Sequence, residues 1–487
     1  MIFNIIASIV ALVFALLYYE EGVSSQLSPY AWFAFSLFAA LMVLFFVASR
    51  ARNRQLTSYW FSPSYIVLFG LIVVNLQTIA NVLLGYAPIS SYLQTTSYDG
   101  YVNQVMFAGL LSVTGFIVGC YNGMPRHNLL STRRLRQTAQ MPNLKVFVAL
   151  LVLFFVLFVV NIDIMSFVTG LHYEGSGSHD RVTNSSYMFY EQLLNACIII
   201  VFSIVAFKAQ WAGGQMSIRH FIRQVPAVVW FVIVAYMGLR LLSGDRGPVL
   251  YSIGVVGYSY LMASRRRFSI VVVLAALAVG AVATTILGTT RGLSKQDSFM
   301  DRVEMAVEIE TDDAPSICRP TQELANSVNC NFIAIADIDT GKVAVQNGKY
   351  SFYNIVTCFP GSLKLFNMLF GLTQKDINSA EYITISYFGQ YYPLGLGTTP
   401  TAEGILDFGL IGCFILHLLF GIFLRRIDGY FVYNQHISMV MMIIAMKFAS
   451  EAIYISRFTF TGMLGKALYV AIIYLCIKFV VDKFRKS

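Results

Sequence analysis

Apolar runs long enough to cross a bilayer recur along almost the whole chain, and they leave few folds open to it. A spanning helix needs about 20 apolar residues, because a rise of about 1.5 Å per residue must cover a hydrocarbon core about 30 Å thick. About twelve such runs occur, near 2–19, 30–48, 62–86, 102–121, 146–168, 187–207, 225–242, 248–264, 268–289, 403–424, 437–456 and 461–481. Backbone polar groups in lipid must be satisfied within the segment, so these runs are expected to be helices. Only 12% of residues are charged and the mean hydropathy is +0.66, far from the roughly 25% charge of a soluble domain. The expected fold is an all-α polytopic membrane protein. The first run follows no basic segment, and no small-residue cleavage site precedes Glu20 and Glu21, so it reads as a retained helix rather than a signal peptide.

Basic residues beside the runs set the orientation. Placing both termini in the cytoplasm collects Arg50, Arg52, Arg54, the cluster from Arg126 to Lys145, Lys208, Arg219, Arg223, Arg265 to Arg267, Arg425, Arg426 and the basic tail. Only Asp428 and Asp482 among the acids fall on that side. The net charge of +9 therefore reflects topology. No basic patch with interleaved aromatics points to nucleic acid. The chain divides into 1–290 with helices one to nine, an extracytoplasmic loop subdomain over 291–402, and 403–487 with helices ten to twelve.

Charge is concentrated in the outward turn from Gly238 to Leu250, which carries Arg240, Asp245 and Arg246. Ionisable groups between two spans must be paired, line a wet cavity or bind a ligand. Asp245 and Pro248 read as a helix start, and a helix N-terminus beside two arginines is suited to an anion. The plainer reading has Arg240 snorkelling to the interface and Asp245 pairing with Arg246. A second outward Arg-Gly pair, at Arg291, suggests arginines converging on one polyanion; two unrelated interfacial arginines are the alternative. The Gly/Ser-rich stretch 170–182, with His172, His179, Asp180 and Arg181, reads as a mobile polar loop.

Within the long loop, Ser298 to Glu310 suggests an amphipathic helix. A Cys318–Cys330 disulfide fits an oxidising compartment and would contribute about 3 kcal/mol, although Cys358 leaves the pairing open. Phe332 to Tyr353 alternates partially between turn signals, as a hairpin would, with a helical reading left open. Asp337 and Asp339 form a DxD of the kind that holds a divalent ion beside a diphosphate, yet Asp favours turns in any case. No His/Cys cluster has metal-ligand spacing, and no Walker or Rossmann glycine pattern occurs. Glu403 and Asp407, four apart at the start of helix ten, share a helix face. Glu403 is the candidate general base; an acid placed in a first turn by the helix dipole is the alternative. Lys447 and Glu451, also four apart, lie near mid-depth as either a functional pair or a structural ion pair.

Three segments carry a resemblance: Ser243-Gly-Asp-Arg-Gly-Pro248, Gly348-Lys-Tyr-Ser-Phe352 leading to Phe359-Pro360, and Gly395-Leu-Gly-Thr-Thr399 with Ala402, Glu403, Asp407, Gly409 and Gly412. In this order, over residues 235 to 427, the chain resembles the bacterial O-antigen or oligosaccharide repeat-unit polymerases, the Wzy family. The resemblance implies a GT-C-type membrane glycosyltransferase of the bacterial inner membrane with its active site on the periplasmic side. It would move a growing glycan from undecaprenyl diphosphate onto an incoming lipid-linked repeat unit, both partners arriving in the bilayer. A chain-length regulator and a flippase are its implied protein partners. No cofactor is implied, and a divalent metal is left open. Glu403 and Arg246 would be catalytic, while Arg240, Asp245, Arg291, Arg181, Lys349, Tyr350 and Lys447 would bind diphosphate or substrate.

Two rivals remain. An O-antigen ligase uses the same lipid donor and a histidine in the long outer loop; residues 292–402 contain none, although His172 and His179 lie in the earlier loop. A transporter or flippase of lipid-linked sugars would use Lys447 and Glu451 for coupling. It predicts internal repeats, which the sequence does not display, and charges spread through the depth of the bundle, whereas most here gather at the outer rim.

Overall fold

A computed structural model of the chain describes residues 2–93, 96–124, 142–162, 185–211, 216–243, 246–264, 268–273, 275–276, 280, 316–359, 361–389, 395–432 and 438–486. All regular structure among these is helical. Among the described residues eight helices are long and apolar enough to cross a membrane, or nine if one bent pair counts as a span, which makes this an α-helical multi-pass membrane protein. The spanning helices are α1 (Ile2–Glu20), α2 (Ala31–Arg52), α4 (Pro63–Leu83), α5 (Val102–Gly123), α6 (Leu144–Asn161), α7 (Ser185–Trp211), α15 (Pro400–Val432) and α17 (Phe460–Lys486). Between them lie α3 (Arg54–Thr57), α8 (Ile218–Gln224), α9 (Ala227–Leu242), α10 (Arg246–Ser264), α11 (Asn329–Asp339), α12 (Lys349–Val356), α13 (Ser362–Phe370), α14 (Ser379–Phe388) and α16 (Met439–Ser450).

Helices α5 and α7 form the centre, with 94% and 78% of their apolar windows buried, whereas α1 and α6 are peripheral at 28% and 17%. With lipid outside, hydrophobicity cannot draw helices together, so small residues that let backbones approach matter more. Gly115, Gly119 and Gly123 follow one face of α5 and meet α15. A Cβ at Gly115 would lie 2.7 Å from the Phe414 carbonyl oxygen, and one at Gly123 would lie 2.5 Å from that of Ile422.

Several expected spans differ. The expected span 225–242 is the 16-residue α9, which meets the short α8 before it at 94° and is long enough to span only together with it. Pro226 stands at the corner, where it cannot continue the preceding helix. The expected span 437–456 is the 12-residue α16, too short to cross alone. Helix α10 forms where a span was expected but does not belong to the eight. Most of 268–289 lies outside the described residues, as do the 170–182 loop and the 298–310 helix.

The helices of the long loop share a core with the bundle. Helix α11 is buried along nearly its whole length. Phe332, Ile335 and Ala336 join the main core, while Cys330, Ile333 and Ala334 join a second cluster with Tyr350, Ile383, Ala402 and Leu406. The expected hairpin at 332–353 is therefore α11, a loop and the start of α12. A helix buried on every side shows no clean 3.6-residue apolar stripe, and its sequence is easily taken for a strand.

Candidate functional site

Helix α15 is two helical arms joined at Gly409, whose φ of 68° interrupts them. Only glycine adopts this conformation readily. Nine residues of straight helix would place residue 404 about 13 Å from residue 413. Instead, a Cβ at Gly404 would lie 3.1 Å from Cys413 Cα, so the first arm folds back on the second. That reversal carries Glu403 and Asp407 into the packing between α15 and the loop helices.

Glu403 is 1% exposed. Its Oε2 accepts hydrogen bonds from Asn354 Nδ2 of α12 at 2.5 Å and Ser379 Oγ of α14 at 2.9 Å. Its Oε1 accepts from Thr461 Oγ1 at the start of α17 at 2.8 Å. No ion pair reaches this carboxylate among the described residues. A carboxylate offers about four lone-pair positions, so three neutral donors leave one on Oε1 unused.

Asp407 organises the neighbouring helix. Its two oxygens accept the backbone N–H groups of Tyr350 at 2.9 Å and Ser351 at 2.6 Å, capping the N-terminus of α12 from outside. The backbone N–H of Gln346 donates to the Leu406 carbonyl at 2.8 Å and that of Gly348 to the Asp407 carbonyl at 3.1 Å. Gly348 has a φ of 84°, and a Cβ there would lie 2.9 Å from the Phe408 ring. The segments 348–352 and 403–409 therefore form one unit, and the Asn354 that bonds Glu403 sits on the helix that Asp407 caps. Burial, with help from Asp407, pushes the Tyr350 phenol above its ordinary pKa, so it stays protonated. Lys349 is half-buried beside it.

The other expected site residues lie elsewhere. Arg240 is buried and bonds Glu191 of α7, its Nε 2.7 Å from Oε1. Tyr236 donates to the same carboxylate at 2.6 Å, and the Arg240 guanidinium stands 5.5 Å from the centre of the Phe158 ring. A diphosphate would have to compete with Glu191 for this guanidinium. Lys447 pairs with Glu451 and lies 4.6 Å from the centre of the Tyr251 ring. Arg246 begins α10, but its side chain, together with Asp245, Arg291 and Arg181, lies outside the described residues. No convergence of arginines on one polyanion is therefore visible among the described residues.

The DxD is helical rather than a turn, and both acids have protein partners. Asp337 accepts from Tyr382 at 2.9 Å and from Ser386, and it pairs with Lys342 at 3.2 Å. Asp339 accepts from Tyr101 at 3.1 Å. Cys318 and Cys330 are free thiols in the structure, so the expected bridge is not formed. Cys318 is exposed, whereas Cys330 is buried in the second core beside the carbonyls of Leu396 and Gly397. Packing α11 against both cores directs Cys330 inward.

Glu191, Asn354, Ser379 and Thr461 were not among the sequence candidates. Asn354, Ser379 and Thr461 are uncharged residues in three separate helices, and no motif spacing joins them to Glu403. Comparisons with known protein families, with curated proteins and with solved structures gave no match to this chain.

Proposed function

We propose that this protein is a membrane glycosyltransferase that polymerises undecaprenyl-diphosphate-linked oligosaccharide repeat units into a surface polysaccharide. Glu403 acts as the general base on the acceptor hydroxyl. The observation that carries this reading is the joining of Glu403 and the 348–352 segment in one hydrogen-bonded unit, since both belong to the set of segments that resembles the polymerases. A lipid-linked sugar diphosphate already has a good leaving group. The protein must then orient two lipid-borne substrates, take one proton and neutralise the departing diphosphate. The open position on Glu403 Oε1 suits the proton transfer. In this reading the diphosphate is held by Arg246 and Arg291 rather than Arg240, which already has Glu191 as partner.

The test is incubation of the purified full chain with a lipid-linked repeat unit and no added acceptor, with products resolved by length. A ladder of multiples supports the proposal. Intact substrate with no ladder overturns it, and transfer only to an added lipid acceptor or movement across vesicles would favour ligase or transporter, respectively.

A further inference from the structure

At the basic end of α2 the structure holds a cavity of about 860 Å³ to which the proposed reaction gives no role. Arg50, Arg54, Gln55 and Ser58 supply polar groups, and Phe46 and Trp60 supply aromatic walls. The Trp60 ring packs 5.8 Å from Phe46 and 5.5 Å from Tyr65, so this wall is anchored to the bundle. Asn53 breaks the helix at φ −155° and ψ 85°, and its side chain accepts the Leu56 N–H to start α3. This break places Arg50 and Arg54 on two different helices around one opening. Both are exposed, and neither guanidinium has an ion-pair partner among the described residues.

We propose that this cavity binds the phosphate headgroup of an anionic phospholipid from the surrounding bilayer. Two arginine forks at one opening match phosphate oxygens, and basic pockets at the ends of membrane helices recognise such headgroups. A bilayer lipid is favoured over free phosphate because an apolar path leads to the opening. Val43 and Val47 are 65% and 61% exposed, and with Arg50 they follow one face of α2 at spacings of four and three. Acyl chains can lie along the valines while the headgroup reaches the arginines. Trp60 stands at the boundary between apolar and polar surroundings that tryptophan favours in membranes.

Native mass spectrometry of the purified full chain in detergent tests this, with phosphatidylglycerol, phosphatidylcholine or inorganic phosphate added separately and in competition. Wild type is expected to retain one phosphatidylglycerol but not phosphatidylcholine, and millimolar inorganic phosphate should not displace it. The double variant Arg50→Gln/Arg54→Gln should bind it about thirtyfold more weakly, the combined effect of two surface arginines. Its melting temperature should be unchanged because both side chains are exposed. Arg223→Gln, an exposed arginine on α8, should bind as wild type does. Equal retention by the double variant, an equal loss with Arg223→Gln, or retention of phosphatidylcholine would overturn the proposal. Displacement by inorganic phosphate would overturn the bilayer as the source of the ligand.

Discussion

The Asp407 carboxylate receives the Ser351 backbone N–H at 2.6 Å across 56 residues of sequence and thereby fixes the start of α12. Asp407→Ala removes this cap and leaves two buried N–H groups without acceptors. The expected loss is about 1–2 kcal/mol, read as a lower melting temperature in detergent. Asp407→Asn retains one acceptor oxygen and should lose about half as much. Equal melting of wild type and Asp407→Ala would show that α12 does not depend on this contact.

Glu403→Gln preserves shape and can still bond its neighbours, with its carbonyl facing Asn354 and Ser379 and its amide facing the Thr461 hydroxyl. A near-normal melting temperature is expected. On the proposed reaction, repeat-unit transfer should fall by at least about a hundredfold, the scale of a lost general base. Full transfer activity in this variant would remove Glu403 from the chemistry.

Arg240→Ala would leave the partly buried Glu191 carboxylate with Tyr236 but without its ion-pair partner, at a cost of about 3 kcal/mol. Adding Glu191→Gln should recover most of that loss, because the stranded charge disappears. Comparing melting of the single and double variants distinguishes a structural ion pair from a ligand-binding arginine.

Gly115→Ala should destabilise by about 1–3 kcal/mol, since its Cβ would press on the Phe414 carbonyl oxygen of α15. Gly238→Ala, in α9 where nothing lies within 4 Å, should instead stabilise by about 0.5–1 kcal/mol through lower chain entropy. Thermal unfolding of the two variants side by side checks both signs.

Burial pushes the Cys330 thiol up to about 12 and the Cys358 thiol up to about 11. A raised pKa means less thiolate at neutral pH, so both should label slowly with maleimide in the folded protein. Exposed Cys318 should label readily without prior reduction. Protection of Cys318 until a reductant is added would restore the Cys318–Cys330 bridge.

Eight of the expected spans, including α4 and α17, were legible because hydropathy over about 20 residues is a local property. The loop was harder to read. Helix α11 is buried on all sides, with Asn331 and Asp337 inside among apolar residues, so its sequence shows no helical stripe, and its place between two cores is set by packing. Glu403 and Asp407 were found as a pair four apart, but their separate tasks were not visible. Asp407 faces the N-terminus of α12, while Glu403 faces Asn354, Ser379 and Thr461.

The sequence alone determined that this chain is a helical membrane protein, because the length and apolarity of a run state where its backbone can be satisfied. Tertiary structure decided which charges are partnered and where the loop helices dock. The reversal at Gly409 rests on one residue's backbone conformation, and the partners of Glu403 lie up to 58 residues away from it in sequence. Contacts of that kind are fixed only when all the helices pack together, and no local pattern carries them.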